Sequence, residues 1–144
     1  MSPSGDRLRE MARRADRGGA AAAGAMAREA KDGIQETLAR RSHARGTPTP
    51  SPPGQPPAKI SGRLRDHVVV VRARQEGAHR WVSAAGPKDV DYARIQEKGG
   101  VAGRNHASTL PPRPYVLPTV MDLRASGRLR EVSVRAFEAV VHGR

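Results

Sequence analysis

Apolar residues first recur at helical spacing near the amino end. Leu8, Met11 and Ala15, then Ala22, Met26, Ala30, Ile34 and Leu38, advance mostly in steps of three and four, the repeat of one helical face. The pattern predicts one long helix over residues 5–45, with Ser4 in the N-cap region. Gly18, Gly19 and Gly24 interrupt it; each weakens a helix by up to about 1 kcal/mol relative to Ala. They mark either a kink or a close approach by another backbone. The stripe is narrow, so the helix needs a partner, either the body of the domain or a neighbouring subunit.

Residues 46–57 read Gly-Thr-Pro-Thr-Pro-Ser-Pro-Pro-Gly-Gln-Pro-Pro. Proline lacks a backbone donor and fixes its own φ, so neither a helix nor a central strand forms here. An extended spacer rising about 3 Å per residue is expected, long enough to carry the first helix away from the body. Ile60, Leu64 and His67 then space out a short helical turn over 59–67. The valines at 68–71 open a strand that runs to Arg74, Glu76–Gly77 supplies a turn, and 79–85, with Trp81 and Val82, returns. From Val90 to Glu97 two readings stay open. Tyr92 and Ile95, with Gly99 at the C′ position, suit a short helix; an edge strand is the alternative. Residues 99–113 read as a polar, glycine-rich loop. A second helix is expected over 116–142 through Leu117, Met121, Ala125, Leu129, Val132, Ala136 and Val140, ending at Gly143. The layout is α+β: a long N-terminal helix (1–45), a proline-rich spacer (46–58), and a domain over 59–144 in which the C-terminal helix packs on a small antiparallel sheet.

Composition sharpens this. The chain has 144 residues, about one domain's worth, yet only 3% are aromatic. A core short of rings gains from surface shared with neighbours, which favours an oligomer. Cysteine is absent, which excludes disulfides and thiolate metal sites. Charges at Asp6, Arg7, Arg9 and Glu10 interrupt any signal-peptide core, and no apolar run reaches the roughly 20 residues of a bilayer span. A soluble protein made in the cytoplasm, with no membrane partner, is expected. The formal net charge is +12, carried almost entirely by Arg, with Lys only at 31, 59, 88 and 98. That balance attracts polyanions without specifying one, and with the Ala, Gly and Pro content it also matches the codon usage of a GC-rich genome.

No catalytic constellation is legible. The histidines at 43, 67, 79, 106 and 142 are scattered and lack metal-ligand spacing. Gly99, Gly100 and Gly103 lack the Lys-Ser/Thr ending of a phosphate loop. Asp89 and Asp91 follow a Gly-Pro turn and should be solvated, and neither Ser83 nor Ser108 sits in a nucleophile turn. No catalytic residue, metal or cofactor is expected. The basic residues Arg63, Arg65, Arg72, Arg74 and Arg80 lie close in sequence, and Arg72 and Arg74 share one strand face. Arg63, Arg65, Arg72 and Arg74 are therefore the candidates for facing DNA. Since no zinc finger, helix-turn-helix or aromatic RNA-binding stripe accompanies them, incidental contact is favoured over sequence recognition.

Three stretches carry a resemblance. They are Pro53-Gly54-Gln55-Pro56-Pro57 with Ser61-Gly62-Arg63-Leu64-Arg65, then Tyr92-Ala93-Arg94-Ile95-Gln96-Glu97-Lys98-Gly99-Gly100, then Pro112-Arg113-Pro114-Tyr115-Val116-Leu117-Pro118. Their order and spacing over about residues 52–140 resemble the head–tail joining, or tail-completion, family of tailed bacteriophages. The chain departs in carrying Ser61 where Thr is frequent, Lys98 where an aromatic is usual, and Tyr115 where Phe is favoured. The resemblance implies a non-enzymatic virion protein assembled in the host cytoplasm. It would form a homo-oligomeric ring, a hexamer in most of the family, at the neck. Its neighbours would be stopper or adaptor proteins on the portal side and the tail terminator or tail tube on the other, with packaged DNA passing through the lumen. A tail terminator or other minor head–tail component is the alternative, and a basic nucleic-acid-binding protein a further one. On this reading Leu64 anchors the segment before the first strand, and Tyr92 and Ile95 face the core. Gly99 and Gly100 permit a tight turn, and Arg113 holds the loop by pairing with Glu97. Pro114 and Pro118 set up the last helix, Pro118 as a first-turn proline. Trp81 and Tyr115 complete the structural or interface set.

Overall fold

The computed structural model of the chain describes residues 3–42, 44 and 51–143. The fold is mixed α+β. Helix α1 (Pro3–Ala39) is followed by the short α2 (Arg63–Asp66), then by the hairpin of β1 (Val68–Gln75) and β2 (Trp81–Pro87). Next come α3 (Ala93–Lys98) and a second hairpin, β3 (Gly100–Ala102) with β4 (Ser108–Leu110). Helices α4 (Leu117–Ala125) and α5 (Arg128–His142) end the chain. The residues fall into two compact units, and α1, β1, β2 and α4 each contribute to both.

One unit takes α1 up to Glu29, residues 70–85, and the chain from Arg124 onward. Its packing rests on small residues of α1. A Cβ at Gly18 would stand 2.7 Å from the Phe137 ring, and one at Gly19 2.9 Å from Trp81. The glycines therefore admit side-chain rings, and the helix runs through them unbroken. Trp81 Nε1 donates to Asp16 Oδ1 at 2.9 Å, which satisfies the indole as its ring is half-buried. Arg128 Nε meets Glu29 Oε1 at 2.8 Å. Ala23, Ala25 and Ala27 are buried, whereas Leu8 and Met11 are each 66% exposed and Met26 is exposed too. The expected stripe is thus corrected in its first half. Small residues, not the larger Met and Leu, face inward because only they let rings approach this closely.

The second unit takes residues 30–69 and 86–123. Ile34 and Leu38, the last members of the stripe, are buried here with Leu64, Val68, Val90, Ala93 and Tyr115. Burial of one such large apolar side chain stabilises by about 1.5–3 kcal/mol. Gln35 Nε2 donates to the Arg65 carbonyl at 3.1 Å. Thr119 Oγ1 donates to the Tyr115 carbonyl at 2.7 Å, so the 2.9 Å contact between the Thr37 and Thr119 hydroxyls has Thr37 as its donor. At the base of the first hairpin the Lys88 amide bonds the His67 carbonyl at 2.9 Å.

Several boundaries differ from expectation. The first helix ends at Ala39, not 45, because the next backbone pairs elsewhere. The Lys59 amide bonds the Arg41 carbonyl at 2.7 Å, and Ser42 bridges Lys59 in parallel. Residues 43 and 45 of the expected helix and 46–50 of the proline-rich stretch lie outside the described residues. The loop expected over 99–113 contains the β3–β4 hairpin, with Val101 paired to Thr109. The single C-terminal helix is two helices. Gly127 at φ 77° ends α4, and its amide bonds the Arg124 carbonyl at 3.1 Å, the left-handed terminator favoured for glycine. Leu117 and Met121 are exposed, and Thr119 and Leu123 turn inward instead. Gly33 admits them; a Cβ there would lie 3.0 Å from Thr119 and 3.1 Å from Leu123.

Candidate functional site

The three stretches that carry the resemblance meet inside the second unit. Their junction is organised by Glu97, in the last turn of α3. Its Oε2 accepts the amides of Tyr115 at 2.8 Å and Val116 at 3.0 Å, and its Oε1 accepts that of Leu117 at 3.0 Å. Those donors open α4, where backbone N–H groups have no partner within the helix. A carboxylate there satisfies them and complements the positive end of the helix dipole. Pro118 follows as the second helical residue, where a missing N–H costs nothing.

The turn behind Glu97 depends on glycine. Gly99 has φ 69° and ψ 179°, a region open essentially to glycine alone. A Cβ at Gly99 would also sit 2.9 Å from both the Leu110 carbonyl oxygen and the Pro112 nitrogen. Gly100 follows at φ 146°, so the tight turn expected of the pair is present. This close passage lets the Arg113 amide bond the Gln96 carbonyl at 2.7 Å. Tyr115 is 1% exposed, and its Oη donates to the Ala93 carbonyl at 3.3 Å. Burial, then the nearby Glu97 charge, then Tyr92 push the Tyr115 hydroxyl well above its ordinary range.

The first stretch closes the junction. The Gly54 amide bonds the Pro112 carbonyl at 2.9 Å, and the buried Arg113 donates from Nε to the Ser51 carbonyl at 2.6 Å. Gln55 accepts from Arg41. Gly62 turns at φ 82° to start α2, which places Leu64 in the core with Ala93 and Tyr115.

Two expected roles are corrected. Arg113 and Glu97 do not pair; Glu97 is occupied by three amides, and Arg113 reaches the backbone of the proline-rich stretch instead. Tyr92 is 40% exposed rather than core-facing. It stands at the N-cap of α3, one residue before the helix proper, and the small Ala93 takes the inward position against Tyr115. Ile95 is half-buried, beside Gly100, and Pro114 is half-buried as well.

The basic candidates divide between the units. Arg63 donates to the Asp89 carbonyl at 3.3 Å and Arg65 pairs with Asp66 at 2.6 Å in the second unit. In the other, Arg72 is exposed and Arg74 pairs with Glu76 at 2.9 Å. Sequence reasoning missed Ser51, Asp16 and the Thr37–Thr119 pair. Their partners lie tens of residues away, and no local spacing marks them.

Chemically, the junction is a positioning device: its charged groups, Glu97 and Arg113, are spent on holding backbone, while the buried Ser51 Oγ and Gln96 Oε1 have no hydrogen-bond partner among the described residues. Among the described residues no group of three or more His, Cys, Asp or Glu could hold a metal, and no helix is long and apolar enough to cross a membrane. Compared with protein families, curated protein sequences and solved structures, the chain has no significant match.

Proposed function

We propose that this chain is a structural subunit of the neck of a tailed bacteriophage, a ring-forming tail-completion protein that joins the DNA-filled head to the tail. The observation that supports it is the meeting of the three family-like stretches at one place. Glu97, Gly99, Arg113, Tyr115 and Leu64 come from distant segments, yet each holds the others in position through the bonds and core described above. Motifs matched by chance have no reason to converge in this way. A junction that spends its charges on backbone geometry suits a protein acting by shape. A closed ring needs two unlike surfaces held at a constant angle in every copy, because small angular errors accumulate around a heterologous ring. Packaged DNA passing through the lumen would meet a chain of net charge +12.

The test is electron microscopy of lysates from a phage carrying a nonsense codon early in this gene. Packaged heads beside complete, unattached tails are expected. Intact infectious particles would overturn the proposal. Unterminated tails of irregular length would assign the chain to the tail terminator instead.

A further inference from the structure

A groove of about 470 Å³ opens on the second unit between the end of α1, the turn before α2, and the start of α3. Its walls are apolar: Leu38, Pro57, Ile60, Leu64 and Tyr92. Leu38 and Leu64 are also core residues, so the groove floor is continuous with the packed interior. Ile60 at 54% exposure and Tyr92 at 40% stand at the surface. Isoleucine gains about 25 cal/mol for each Å² of apolar surface removed from water, and nothing among the described residues covers this one.

The charge at the groove has one sign. Lys59, Arg63 and Arg65 line it, and no carboxylate does. Arg65 is partly neutralised by Asp66 at 2.6 Å, whose Oδ2 also lies 3.1 Å from the position a Cβ would take on Gly62 at the groove edge. Among the described residues the Arg63 guanidinium bonds only the neutral Asp89 carbonyl, at 3.3 Å. The Lys59 ammonium makes no ion pair among the described residues. An occupant must therefore bring an apolar group for the floor and negative charge for the edge.

We infer that this groove docks a short acidic segment of a partner protein, one that seats an apolar side chain between Ile60 and Tyr92 and sets its carboxylates against Lys59 and Arg63. A second copy is a poorer occupant, because the chain carries 26 basic residues against 14 acidic ones and so offers Lys59 and Arg63 more cations than carboxylates. Nucleic acid would satisfy the cations and could stack one base on Tyr92, but it would leave the aliphatic walls of Leu38, Pro57 and Ile60 facing polar backbone. The groove belongs to the chain whatever assembly it serves, so the result is independent of the neck proposal.

The experiment is fluorescence anisotropy with the full chain and a labelled peptide of aspartates flanking a central Phe-Leu pair. Saturable binding is expected, on the order of 10–100 µM, weakening as salt rises. Lys59→Glu and Ile60→Asp, each checked for an unchanged circular dichroism spectrum, should separately weaken it about tenfold or more. Replacing Phe-Leu by Gly-Ser in the peptide should do the same. Absence of saturable binding, or binding indifferent to both substitutions, overturns the inference. So does a single-stranded oligothymidylate that binds, is weakened by the same two substitutions, and excludes the peptide; the groove would then be a nucleic-acid site.

Discussion

Removing the Glu97 carboxylate tests how the junction holds together. The side chain accepts three backbone amides at 2.8–3.0 Å, those of Tyr115, Val116 and Leu117. Hydrogen bonds to charged acceptors contribute about 1.5–3 kcal/mol each, and loss of one ordinary N-cap costs about 1 kcal/mol. The three are not equivalent. Leu117 is exposed, and its amide is rehydrated once the carboxylate is gone, whereas Tyr115 is buried. Glu97→Ala should therefore destabilise the chain by about 2–4 kcal/mol, less than three full bonds. Glu97→Gln keeps one carbonyl oxygen but turns an amide N–H₂ toward backbone donors, and should lose about half as much. Glu97→Asp is one methylene too short to span from α3 to α4, and should resemble Glu97→Ala. Against a typical stability of about 5–15 kcal/mol these are large fractions. The assay is urea unfolding at neutral pH followed by circular dichroism, with an unchanged slope confirming that the native state stays compact. A loss for Glu97→Ala below about 0.5 kcal/mol would refute the view that this carboxylate organises the junction.

Other outcomes follow from single contacts. Gly99→Ala combines a φ of 69° with two backbone contacts at 2.9 Å, and should cost about 3 kcal/mol or more; an unchanged melting temperature would contradict it. Gly18→Ala and Gly24→Ala should differ in sign. Both gain about 1 kcal/mol of helix propensity. At Gly24 the nearest group is the flexible Arg28 Nη1 at 3.3 Å, whereas at Gly18 the Phe137 ring stands at 2.7 Å. Melting curves should therefore show Gly24→Ala stabilised and Gly18→Ala destabilised, the latter by about 1–2 kcal/mol. Tyr115 carries a pH dependence: its hydroxyl titrates far above the ordinary value of about 10, chiefly through burial. Above that pH the unfolded chain gives up this proton while the folded chain keeps it, so stability falls as pH rises. Tyr115→Phe should flatten that alkaline decline in denaturation measured between neutral pH and about 11; an equally steep decline in the variant would rule out Tyr115 as its source.

The elements themselves were largely legible in sequence. Proline and glycine punctuation, the valine run at 68–71 and the helical spacing at Ile34 and Leu38 are local signals, and the first hairpin follows them to within two residues, whereas α1 stops six residues short of its expected end and β3 and β4 lie in a stretch expected to be loop. The break at Gly127 was not legible, because the apolar repeat continues on both sides of it and the helix was expected to run through. Spacing marks a stripe without saying which stripe meets a partner. Leu8 and Met11 fit the helical repeat and still face water, while Ala23 and Ala27 are covered. What covers a helix face is decided by the rings that reach it from β2 and α5, and those lie more than fifty residues away. Glu97 makes the same point at the junction. Its type and position suggested an ion pair with Arg113. The fold instead brought the start of α4 within 3.0 Å of it, and an open helix end offering three parallel donors outcompetes one guanidinium that has a backbone carbonyl of its own. Local chemistry determined which segments are helix, strand and turn; which polar groups satisfy one another was decided only when the chain closed and buried donors had to be matched with the acceptors within reach.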